Sequence, residues 1–210
     1  MSQTPNRKQR QAEARAAKLE AFRKEQARRA RNRRIAIVSA IAGGVAVIAL
    51  IATVIVTAPK PVDSIAGVKS FDYTGGNHVQ GTVDYAQNPP AGGEHNAVWL
   101  NCGVYDREVP KENAVHSLEH GAVWVTYRPG LEQSAIDKLK ADLPDTYTVL
   151  SPYDGLPAPI VLSAWNHQLT VDTADDPRVK QFIQKYWQGP DTPEPGAACV
   201  GGLDAPGKVS

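Results

Sequence analysis

The chain has 210 residues, with 23 Lys and Arg against 22 Asp and Glu, and only two cysteines. No C-x-x-C pair occurs, so thiol–disulfide oxidoreductase chemistry has no support in the sequence. The formal net charge of +1 conceals a strong asymmetry between the two ends of the chain.

Residues 1–34 carry twelve Lys and Arg against three glutamates, a net of +9, while residues 59–210 carry a net of −8. Between them, residues 35–58 contain no charged residue and no Asn, Gln, His or Pro. At 1.5 Å per residue this stretch reaches about 36 Å, enough for a hydrocarbon core of about 30 Å with some tilt. A signal peptide would be shorter in its apolar part and would begin nearer the N-terminus. The expectation is one uncleaved transmembrane helix at 35–58. The basic arm before it puts the N-terminus in the cytoplasm and the rest outside the membrane. The arm's large apolar residues are few (Leu19, Phe22), so it is read as a topology signal attracted to anionic lipid and not as a nucleic-acid binder.

Residues 59–70 read as a short tether, and 71–210 as one exported domain of a size that supports its own core. Branched and aromatic runs at 97–100, 122–127, 147–150, 159–165 and 168–171 predict strands, with a turn at Asn166-His167. Apolar residues at helical spacing predict helices over 131–143 and 176–188. The order suggests an α+β domain, a mainly antiparallel sheet with helices on one face. Residues 189–210 are a Gly- and Pro-rich tail. Cys102 and Cys199 both lie beyond the span, where an oxidising compartment favours a disulfide between them. The competing role for Cys102 is a metal thiolate.

His116-Ser117-Leu118-Glu119-His120 carries the chemistry. Four of the five histidines, His78, His95, His116 and His120, fall within 43 residues. On a short helix over 112–120, ended by Gly121, the i, i+4 pair presents both imidazoles on one face. His78 and His95 sit in Gly- and Pro-rich loops that let side chains converge. Three or four imidazoles suit zinc or copper, with Glu119 as ligand, supporting partner or base. The competing reading is that buried His116 or His120 bonds backbone carbonyls and locks the helix–strand junction. His167, in its turn, is expected to lie elsewhere.

H-x-x-E-H also matches the inverted zincin pattern, in which Glu119 would be a general base. Such enzymes need a long active-site helix, and Gly121 stops this one at once. No G-x-S-x-G, Walker or Rossmann pattern occurs. The primary expectation is therefore a binding or interaction module of the cell envelope, with the histidine cluster as its candidate metal site. The alternatives are a metal-dependent hydrolase using Glu119, or a structural accessory subunit docked on a membrane-complex protein.

Several segments, namely His95, Gly103-Val104-Tyr105, the run Val115 to Gly121, Tyr127-Arg128-Pro129, Ser151-Pro152-Tyr153, Ala164-Trp165 and Pro193-Glu194-Pro195, carry a resemblance. Over about residues 65–202 the chain resembles the membrane-anchored bacterial family known as domain of unknown function 3105. One departure is Ala91-Gly92-Gly93-Glu94-His95, where a Ser-Gly-Pro-His type of turn is expected. The resemblance implies an envelope-anchored domain on a single span and no particular activity.

Overall fold

The computed structural model describes residues 7–57 and 64–209. The chain forms two compact units, residues 1–60 and 61–210. The first is one helix, α1 (Arg7–Thr57), 51 residues long and continuous through the basic and apolar segments. Its polar half is rich in Ala, Arg, Lys and Glu, all good helix formers. The pairs Glu20–Lys24 and Glu25–Arg29 add i, i+4 support. Its apolar half leaves Val38, Ile41, Val45, Ile48 and Leu50 more than 60% exposed, with no protein covering them. A helix apolar on every side and long enough to cross a membrane is consistent with single-pass anchoring. Residue 58 and the start of the expected tether, 59–63, lie outside the described residues.

The second unit is an α+β fold on a six-stranded mixed sheet. Its elements are β1 (Lys69–Ser70), β2 (Gly103–Val104), α2 (Lys111–Glu119), β3 (Val123–Tyr127), α3 (Gln133–Asp142), β4 (Thr148–Pro152), β5 (Ile160–Ala164), β6 (His167–Val171) and α4 (Pro177–Tyr186). Spatial order is β1-β6-β5-β3-β4-β2. The β1–β6, β6–β5 and β5–β3 pairs are antiparallel, and β3–β4 and β4–β2 are parallel. The sheet is thus mostly antiparallel. Helix α3 provides the crossover that the parallel β3–β4 pair requires.

Strand alternation builds two cores. Val123, Val125, Leu150, Ile160, Leu162, Leu169 and Val171 pack with Leu139 of α3 and with Val179, Phe182 and Ile183 of α4. Trp124 and Val149 point the other way, toward Ala114, Val115 and Leu118 of α2, with Leu100, Tyr105 and Trp165. So α3 and α4 share one face, as the pattern suggests, while short α2 covers the opposite one. Asp176 caps α4 by accepting from the Arg178 N–H, and Pro177 follows at the first helical position.

Two local expectations shift. The hairpin turn between β5 and β6 is Trp165-Asn166, one residue earlier than the expected Asn166-His167, with Asn166 at φ 63°. Asn tolerates that conformation, and His167 opens the strand instead. Residues 97–100 form no strand. Their polar groups go to α2 and to the C-terminal tail: the Leu100 N–H donates to the Asn113 carbonyl, Asn113 Nδ2 donates to Val98 O, Ser117 Oγ donates to Leu100 O, and Trp99 O accepts from the Leu203 N–H in a single bridge.

Gly121 ends α2 at φ 98°, donating its N–H to Leu118 O. A Cβ there would stand 3.2 Å from the Gln188 Cα and 3.3 Å from Thr192. The expected outcome for Gly121→Ala is a loss of about 1–3 kcal/mol, read by chemical denaturation, from positive φ and crowding together. Cys102 and Cys199 stand at disulfide distance, their Cα atoms 5.4 Å apart. Mass spectrometry of alkylated, unreduced protein should find neither thiol modified. Removing the cross-link should cost up to about 4–5 kcal/mol on chain-entropy grounds, given the long loop.

Candidate functional site

Three segments deliver the imidazoles. Helix α2 carries His116, and His120 is its C-terminal cap, with ring centroids 4.5 Å apart. The helix is held rigidly: Ala114, Val115 and Leu118 are fully buried, and Glu112 accepts from the Val83 N–H. The loops bearing His78 and His95 are zipped together by Val79 N–H to His95 O (2.8 Å) and His95 N–H to Asn77 O (3.0 Å). As a result the rings of His78, His95 and His116 lie 4.8–4.9 Å from one another. His120 adjoins this group through His116. His167 lies apart, stacked at 4.3 Å on Tyr186 of α4.

The ring nitrogens are sorted by their partners. His95 Nδ1 meets Gly93 O at 2.7 Å, His116 Nδ1 meets Asn96 O at 2.7 Å, and His120 Nδ1 meets Ala198 O at 2.6 Å. A carbonyl only accepts, so each Nδ1 carries the proton and each Nε2 is the nitrogen left for other chemistry. This is the supporting arrangement that metal-ligating histidines use. The two competing sequence readings are therefore compatible: the same side chains that lock backbone carbonyls also offer Nε2.

Glu119 is fully buried among them. Its Oε2 accepts from His95 Nε2 at 2.9 Å and lies 3.7 Å from His78 Nε2, and its Oε1 accepts the Gly76 N–H. Gly75 makes that approach feasible, since a Cβ there would lie 2.6 Å from Glu119 Oε1. One donor atom each from His78, His95, His116 and Glu119 fall within 4.8 Å of one another, a set suited to a single cation. A second set of the same compactness is His116, His120 and Glu194. Glu194 was not singled out as a ligand from sequence, although Pro193-Glu194-Pro195 flags the place. Its Oε2 is 3.3 Å from His120 Nε2. Cys102, facing Cys199, belongs to neither set.

Electrostatics separates the residues. Burial alone pushes Glu119 up, but the hydrogen bonds from His95 and the Gly76 N–H outweigh it and hold the carboxyl below its ordinary range. Burial likewise pushes His95 down, yet its bonds to Glu119 and to Gly93 O raise it above 6.5. Pairing with Glu119 thus favours the protonated form of His95 more than in a free imidazole. His116 sits below 6.5, chiefly by burial, helped by the neighbouring imidazoles and opposed by its bond to Asn96. It is neutral near pH 7, its Nε2 lone pair free. Glu119, tied to two donors, is placed to fix His95 more than to activate a water.

An α+β domain joined to an apolar, membrane-length helix and carrying four clustered imidazoles, those of His95, His116 and His120 buried, defines the class. The chain belongs to the family described as protein of unknown function (DUF3105), whose family model matches residues 78–201. No curated protein and no solved structure matches it.

The raised His95 pKa fixes a sign. Above pH 4.5, where Glu119 is ionised, the stability that His95 contributes is fully present below 6.5 and is lost as pH rises through its folded value. In thermal unfolding of metal-stripped protein, the deficit of His95→Gln against wild type should be largest in mild acid and shrink toward alkaline pH. A deficit that grows with pH would reverse the assignment. In histidine ring NMR, His95 should lose its second proton at higher pH than His116.

Proposed function

We propose that the domain is a membrane-anchored metal-binding module of the cell envelope. It holds one zinc or copper ion through His78, His95 and His116, with Glu119 beside them. The observation that carries the reading is the orientation of the imidazoles. In His95 and His116 the Nδ1 proton is committed to a backbone carbonyl, which leaves Nε2 directed to a shared space. Imidazole-rich donor sets suit zinc and copper, and one buried carboxylate balances part of the ion's charge. A side-chain lattice built only to stabilise the fold would not need four imidazoles with a carboxylate in one place, because clustered histidines repel once protonated.

The orientation in the membrane belongs to the same reading. Arm 1–34 faces the cytoplasm and 59–210 the outside, supported by the net +9 before the apolar helix. The partners are the bilayer and a protein of the envelope or of a membrane complex. Protease treatment of intact spheroplasts should remove the C-terminal domain and leave the arm protected; the opposite pattern reverses the topology.

Equilibrium dialysis of the full chain in detergent against zinc or copper, with elemental analysis, should give one ion per chain. His95→Ala and His116→Ala should each weaken binding by about 100-fold or more, and Gly75→Ala by about 10-fold through displacement of Glu119. Wild-type protein that retains no ion would discard the metal reading and leave the histidines with a structural role.

A further inference from the structure

His116 belongs to both compact donor sets, the one with His78, His95 and Glu119 and the one with His120 and Glu194. Its Nδ1 is committed to Asn96 O, so it has one nitrogen, Nε2, to share between them. One lone pair binds one ion at a time. The two sets are therefore alternative positions for a single cation. They also differ in strength. The first combines three imidazoles, of which His78 is partly exposed, with a fully buried carboxylate, whereas the second has two buried imidazoles and a carboxylate with a half-exposed side chain.

Glu194 is carried by the C-terminal strap, which is fastened on both sides of it. The Glu194 N–H donates to Glu119 O (3.1 Å). Beyond it, Tyr147 OH donates to Ala197 O, His120 Nδ1 donates to Ala198 O, and Cys199 reaches Cys102. The strap thus fixes an anionic side chain over His120 at the protein's surface. The backbone of Glu194 is bonded to the very residue whose side chain closes the first set.

We infer that His120 and Glu194 form a loading position, from which a zinc or copper ion passes to the His78–His95–His116–Glu119 position, richer in imidazoles, by exchange at His116 Nε2. This rests on the metal-binding reading above. In the first position the ion is held by Glu194, His120 and His116. It then keeps His116 while His95 and His78 replace the other two, so it is never without protein ligands. The exposed carboxylate attracts the cation, and the imidazole set retains it. The transfer involves ligand exchange only, with no change of oxidation state; the proton on His95 Nε2 leaves to solvent as the nitrogen takes up the metal.

Two tryptophans adjoin the donor sets, Trp99 beside both His120 and the shared His116, and Trp165 beside His95. Trp99 lies 5.2 Å from the His120 ring, and Trp165 lies 5.7 Å from the His95 ring. Full-length chain in detergent is mixed with Cu(II) sulfate in a stopped-flow fluorimeter, and bound copper at equilibrium is measured by elemental analysis. Wild type should quench in two phases, and Trp165→Phe should weaken mainly the second. Glu194→Ala, and His120→Gln as a variant that keeps the buried volume, should still bind one copper at equilibrium but load about tenfold more slowly, without the early phase. Loading of both variants at the wild-type rate overturns the loading position while leaving the metal site intact. Loss of copper at equilibrium in both would make the His120–Glu194 set the resident site and equally overturn the proposal. Two coppers per wild-type chain would overturn the sharing of His116. A wild type that binds none fails the metal reading itself.

Discussion

A single buried carboxylate organises the α+β domain. Glu119 ends α2, accepts from His95 and from the Gly76 N–H, and presses against Gly75. Its own carbonyl receives the Glu194 N–H. Burying a charge costs several kcal/mol unless it is paired and hydrogen-bonded, so each of these contacts is needed for the others to persist. Removing one partner would leave the charge uncompensated. Three separate chain segments, the 75–78 loop, the 93–95 loop and the C-terminal strap, are thereby drawn to the end of one nine-residue helix.

That helix is short, and its stability comes from packing and not from propensity. Ala114, Val115 and Leu118 fill the second core with Trp124, Val149 and Trp165, while Ser117 and Asn113 satisfy the irregular 97–100 backbone. Trp165 links the two roles of this face. It packs in the core and also meets His95 edge-on at 5.7 Å. The histidines are mounted on close-packed structure, and the rotamers that aim Nε2 are fixed by carbonyls belonging to that same structure. Preorganisation of this kind lowers the ordering cost of binding an ion.

The C-terminal strap shows how irregular chain becomes part of a site. Rich in Gly and Pro, residues 189–209 form no helix and no strand longer than a single bridge. Yet Ala205 is buried, Asn101 exchanges bonds with Gly202, and Cys199 reaches Cys102. The contacts are distributed, and the cross-link concentrates the strap's accessible conformations near the one that brings Glu194 to His120.

The sequence alone determined the features that are local or compositional. The apolar helix follows from an uninterrupted run of residues that water disfavours. The i, i+4 pairing of His116 and His120 follows from helix geometry, and the stop at Gly121 follows from its freedom to adopt positive φ. The strands β3, β5 and β6 and helices α3 and α4 were legible within a residue or two, because burial imposes period 2 or 3.6 on the chain. The two-residue strands β1 and β2 were not legible, because two residues carry no period. The run at 97–100 looked like a strand because hydrophobic composition does not reveal that α2 and the C-terminal tail will take its hydrogen bonds. Only the tertiary structure decided that His78 and His95 meet His116, that Glu119 turns inward to bind them, and that Glu194 arrives from 74 positions further along the chain than His120. Convergence across Gly- and Pro-rich loops leaves no periodic trace, since it is set by where the sheet and the disulfide bring distant segments and not by any preference of the segments themselves.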